Sequence, residues 1–172
     1  PEGDRDMTKS YTIDALHRKA GTQEMASIPL KQESSGTLKM FALYPSLKDV
    51  LDNGGTLFVD ELNARLHPLL VRNIILTFLS PEINTQNAQL VFTTHDIWQF
   101  SNELLRRDEI WMVNKNEDGV SELYSLAEFK DEEGNKVRRN EALAKKYLTG
   151  SYGAIPALKP MKMLTGGTAD GE

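Results

Sequence analysis

The chain has 172 residues, a net charge of −5, 40% hydrophobic and 26% charged residues, which suits one globular domain with a real core. The acidic balance disfavours a general grip on nucleic acid, because phosphate binding needs clustered Lys and Arg, and Arg138-Arg139 is only a small basic patch. With no cysteine, disulfides, Cys-ligated zinc and thiol catalysis are excluded; there is no apolar run near the roughly 20 residues that span a bilayer, and no signal-peptide pattern, so a cytoplasmic setting without membrane contact is expected.

Residues 1–10 are polar and read as loose, and Pro1 stands where an initiator Met would, as in an internal piece. Tyr11 to Arg18 reads as a strand, Lys19 to Thr22 as a turn, and Glu24 to Leu30 as the returning strand of a hairpin. The polar loop Glu33-Ser34-Ser35-Gly36-Thr37 precedes a helical pattern from Leu38, with Pro45 as an expected break. Thr56 to Val59 is a continuously apolar run of the kind buried on both faces of a parallel sheet.

Pro68 to Leu79 is an amphipathic helix, Gln89 to Thr94 a second buried strand, and Ile97 to Leu105 a second helix. Glu109 to Asn114 is a third strand, and Val120 to Ser125 pairs with it across an Asn-Glu-Asp-Gly turn. Asn140 to Leu148 is a last helix, and residues beyond Leu164 read as a disordered tail. Strand–helix alternation predicts an α/β fold with a parallel sheet core, flanking helices and a terminal hairpin.

Three short motifs carry the chemistry. Asp60-Glu61 ends the first apolar strand and so places two carboxylates at the C-terminal edge of a parallel sheet, where open α/β sheets bind ligands. The plain alternative is a strand followed by a solvated acidic turn. His95, in Thr93-Thr94-His95-Asp96, ends the next strand and would face those acids if the strands are neighbours; the alternative is an ordinary polar strand end. Ser34, Ser35 and Gly36 stand at a helix N-terminus, a natural phosphate site or a simple N-cap. Taken in order, each separated by one helix, the three are far more specific than any one of them.

Together these residues resemble the ABC-type ATPase heads of the SMC, RecF and OLD group. Glu33 to Thr37 is similar to the signature loop, with Glu33 in place of the usual Leu; Asp60-Glu61 resembles the Walker B pair; Asn63 to His67 resembles the D-loop, with the Leu-His-Pro ending of OLD-like members; His95 resembles the switch histidine. Pro81 to Asn84, Leu104 to Trp111 and Tyr147 to Pro156 are similar to stand-alone bacterial ATPases encoded in phage-defence and abortive-infection loci. The likeness covers roughly residues 30–158, with 1–30 leading in and 159–172 a flexible tail.

The resemblance implies a P-loop NTPase fold, ATP and Mg²⁺ as cofactors, and an ATPase formed by two heads that sandwich nucleotide. It implies that Asp60 orders Mg²⁺, Glu61 activates water, and His95 meets the γ-phosphate. Ser34, Ser35 and Gly36 would reach nucleotide held by the opposite head, and Asn63 and His67 would link the two sites. An effector such as a nuclease or toxin is the implied partner. One departure is large: no Gly-x-x-x-x-Gly-Lys-Ser/Thr loop occurs anywhere in the chain, so the nucleotide cradle is expected on another chain or segment. The alternative reading is a non-catalytic dimerisation or scaffold module. A Toprim nuclease finds no support after His95, where no Asp-x-Asp with a distant Glu follows, and Asp131 to Glu133 reads as a solvated loop.

Overall fold

A computed structural model describes residues 11–116, 118–131, 133–138 and 142–155. The chain divides into two compact units, one ending at Asp96 and the other starting at Ile97. The expected loose residues 1–10 and the expected tail lie outside the described residues, as do Glu117 of the expected turn, Glu132 of the expected acidic loop, Arg139, Asn140 and Pro156.

In the first unit, strand β1 (Asp14–Arg18) pairs antiparallel with β2 (Met25–Pro29), as the hairpin pattern predicts. Helix α1 (Ser35–Asn53) follows. It begins three residues before Leu38 because Ser34 caps it, its hydroxyl accepting the Thr37 N–H at 3.1 Å. Pro45 does not break it. The hydrogen bond that proline cannot donate would go to the Phe41 carbonyl, on a stretch exposed enough for water to satisfy that oxygen. Gly54, at φ 80°, ends the helix by donating to the Val50 carbonyl at 2.8 Å.

Strand β3 (Thr56–Val59) pairs in parallel with β4 (Gln89–Phe92), Val59 opposite Phe92. Between them runs α2 (Pro68–Leu79). Pro68 suits its first turn, and His67 caps it by accepting the Leu69 N–H at Nδ1, 3.2 Å away. Val71, Ile74 and Ile75 bury one stripe of α2 with Leu47, Leu62, Leu66 and Ala88. The return to β4 is clipped by Asn84, whose amide donates to the Phe78 and Ala88 carbonyls and accepts the Ala88 N–H.

Double-sided burial of β3 and β4 is not observed. Leu57, Val59, Leu90 and Phe92 turn inward, whereas Phe58 is 74% and Val91 47% exposed. Continuous apolar runs cannot say whether both faces are covered; only the packed layers can.

In the second unit the expected helix from Ile97 is a single 3₁₀ turn, Ile97–Gln99. Ser101 restarts the turn pattern: its hydroxyl accepts the Glu103 N–H, and its carbonyl accepts those of Leu104 and Leu105. Strand β5 (Trp111–Lys115) pairs antiparallel with β6 (Ser121–Ser125) and does not extend the β3–β4 sheet, so the expected third strand of the parallel core is absent among the described residues. Helix α3 (Leu143–Leu148) closes the order. Ile110, Met112, Leu126, Val137, Leu143 and Tyr152 form the core of this unit. The segment from Tyr147 to Ile155 packs on it: Tyr152 is 2% exposed and its carbonyl accepts from the Tyr124 hydroxyl, while the Tyr147 hydroxyl donates to the Ala154 carbonyl at 3.1 Å.

Candidate functional site

The parallel pairing of β3 with β4 continues one step beyond both strands. The Thr93 N–H donates to the Val59 carbonyl and the Leu62 N–H to the Thr93 carbonyl, both at 3.1 Å. This brings Asp60-Glu61 beside Thr93-Thr94 at the C-terminal edge of the sheet.

The hydroxyl of Thr93 joins the two acids. It donates to Asp60 Oδ1 at 2.5 Å and accepts the Glu61 N–H at 2.8 Å. A hydroxyl has one hydrogen to give and lone pairs to receive, so one side chain orients the first carboxylate and the backbone of the second acid. Glu61 has φ 47° and Arg65 φ 65°, so the turn holds non-glycine residues in the left-handed region, a conformation that must be enforced by its surroundings. Leu62, fully buried, and Leu66 anchor it from below. Lys39, from α1, donates to the Glu61 carbonyl at 2.6 Å. At the other end of the turn, a Cβ on Gly36 would lie 2.9 Å from the Arg65 carbonyl oxygen, so that close approach requires glycine.

His95 follows two residues after Thr93, its Nε2 3.1 Å from Asn63 Nδ2. Asn63 Oδ1 accepts from the Thr94 hydroxyl at 2.9 Å. Thus Asp60, Glu61, Asn63 and His95 meet at one sheet edge. The side chains of Asp60, Glu61 and His95 are exposed, and among the described residues nothing bonds the Glu61 carboxylate.

The remaining expected residues sit nearby in structural roles. The Ser34 hydroxyl, besides capping α1, is 2.9 Å from Thr37 Oγ1. His67 has one ring nitrogen engaged in capping α2. Glu33, just before this loop, pairs with His17 of the hairpin. A groove of about 680 Å³ between α1 and α2, lined in part by Leu47, Leu70, Ile74 and Phe78, contains none of these side chains.

Residues 23–97 match the family described as "AAA domain, putative AbiEii toxin, Type IV TA system". That segment is similar to an AAA-type, ATPase-like module. It is under half the chain, yet the loop over residues 34–36, both acids, Asn63 and His95 all fall within the matched segment. No curated protein matches the chain. No helix among the described residues is long and apolar enough to cross a membrane.

The donor set of the matched segment fits Mg²⁺ in one specific sense. Among the described residues no three His, Cys, Asp or Glu side chains converge as a ligand cage. Mg²⁺ is ordinarily held by one or two carboxylates with water and phosphate completing its octahedron. Asp60, one oxygen held by Thr93 and exposed at the strand end, meets that requirement.

Sequence reasoning missed three contributors. Thr93, Thr94 and Lys39 have no motif of their own; their roles follow from the strand register and the packing of α1. A run of two threonines before the histidine was the only available signal for the first two.

Proposed function

We propose that the segment over residues 23–97 is the acid- and histidine-bearing part of an ABC-type ATPase head that hydrolyses ATP with Mg²⁺ when joined by a phosphate-loop segment. One observation carries this: the Thr93 hydroxyl binds Asp60 and the Glu61 backbone together, at the sheet edge where His95 also ends up. In this reading Asp60 faces the metal's water shell. Glu61, its carboxylate unencumbered, accepts a proton from the attacking water. His95 donates to a phosphate oxygen, and Ser34, Ser35 and Gly36 face nucleotide held by a second head. Asn63 and His67 belong to the link between the two heads. ATP bound with Mg²⁺ supplies the phosphoryl group; the chain supplies position and charge stabilisation.

The open face of β3–β4 supports completion by a further packed layer. A parallel sheet is ordinarily covered on both faces, and two strands alone are marginal. Phe58 and Val91 offer an apolar face for that layer. The family description, with its toxin and type IV toxin–antitoxin wording, supports our reading of a role in bacterial defence with an effector protein as partner; a cytoplasmic setting is part of the same proposal.

The test is phosphate release by a head in which a phosphate-loop segment is joined in cis or added in trans. Glu61→Gln should retain ATP binding and head dimerisation while turnover falls by roughly 10²–10⁴-fold, the range expected for general-base removal. Unchanged turnover would remove Glu61 from that role. A completed head that binds its partner but never hydrolyses would favour the scaffold reading.

A further inference from the structure

Thr94 does more than end the β4 segment. Its oxygen accepts the main-chain N–H of Asp96 at 2.9 Å, and a backbone N–H has only one sense. Its own hydrogen is directed to Asn63 Oδ1, also at 2.9 Å. In the structure Asn63 turns Oδ1 to this hydroxyl, and its side chain therefore presents NH₂ to His95 Nε2 at 3.1 Å. An amide NH₂ only donates, so Nε2 must be the ring nitrogen without a proton, and the neutral imidazole carries its hydrogen on Nδ1.

We infer that Thr94 and Asn63 are positioning residues that hold His95 as its Nδ1–H tautomer and bind its ring to the turn carrying Glu61. This deepens the ATPase reading and rests on it only for what His95 meets. Phosphate oxygens accept and never donate, so a useful histidine must offer N–H in their direction. Here the offered hydrogen is the one on Nδ1. The ring plane is set by Asn63, two residues from Glu61, so the histidine and the base move as one body. Sequence spacing alone contains no such information, because neither tautomer nor amide orientation has a sequence pattern.

The relay can be tested on the 172-residue chain without nucleotide or partner. Long-range ¹H–¹⁵N NMR of ¹⁵N-histidine-labelled protein in alkaline buffer separates the two tautomers. His95 should show an unprotonated Nε2 and a protonated Nδ1. Thr94→Val should move it toward the Nε2–H form, Thr94→Ser should not, and Asn63→Asp should drive it to Nε2–H, because a carboxylate can only accept. His67 is the internal control for folding: its Nδ1 accepts the Leu69 N–H, so it stays Nε2–H in every folded variant. Wild-type His95 found as Nε2–H, or unmoved by both Thr94→Val and Asn63→Asp while His67 holds its form, would overturn the assignment. Because this readout needs no hydrolysis, it stands or falls separately from the ATPase reading.

Discussion

Gly36 touches Arg65 so closely that a methyl group on the glycine would sit 2.9 Å from the arginine carbonyl oxygen. The first turn of α1 is therefore seated on the turn that begins at the acids. The Lys39–Glu61 hydrogen bond makes the same connection one helical turn later. In a head that reads one nucleotide with its acids and another with its signature loop, such seating would carry displacement from one to the other.

Gly36→Ala tests that seating. On helix propensity alone alanine would gain about 1 kcal/mol. The obstacle is backbone, which cannot swing aside as a side chain can, and overpacking of this kind costs about 1–3 kcal/mol. The clash should win: the denaturation midpoint should fall, not rise. An increase in Tm would show that the turn yields freely.

Thr93→Val removes both the donor to Asp60 and the acceptor for the Glu61 N–H while preserving shape. The site is exposed, so water can replace part of the loss, and a cost of about 1 kcal/mol is expected. In a completed head turnover should drop well beyond what this stability change explains, and Thr93→Ser should restore it. Urea denaturation together with phosphate release separates the two effects.

Phe58→Lys should leave the isolated chain within about 0.5 kcal/mol of the parent, because the ring is 74% exposed. Association with a phosphate-loop segment should be lost, since a charge would be placed where strands must be covered. Calorimetry on the chain and co-purification with the segment read the two outcomes; undiminished association would place the added segment elsewhere than on this face.

The second unit offers a test by pH. Burial first, then the charge of Glu122 and the neighbouring Tyr147, hold the Tyr124 phenol above its ordinary value. A raised acid favours the protonated fold, so its contribution is whole below about pH 10 and declines as pH rises through the folded value. Tyr124→Phe should flatten the alkaline loss of stability at a cost near 1 kcal/mol at neutral pH, from the hydrogen bond to the Tyr152 carbonyl. Tyr152→Ala, at a fully packed position, should cost about 3–5 kcal/mol. Thermal melts across pH 7 to about 11 measure both.

Much of the local structure was legible from residue order. The hairpin strands, the bounds of α2 and the β5–β6 turn follow from alternation, from Pro68 after a capping residue, and from Asn116 to Gly119. The second helix was misread because its apolar spacing is helical while Ser101 offers the backbone a closer partner. Pro45 was misread because a lost hydrogen bond on an exposed helix face is cheap to hydrate.

The sequence by itself determined which residues could do chemistry: two acids after one apolar strand, a histidine after the next, and a Ser-Gly loop before a helix. Their order needs only covalent connectivity and the short period of strands and helices. Tertiary structure alone decided that β3 and β4 are neighbours in parallel register, that Thr93 joins the acids, and that Asn63 faces His95. Those contacts span about thirty residues of chain, and a contact so distant is set by which layers pack together, not by the pattern of any one segment.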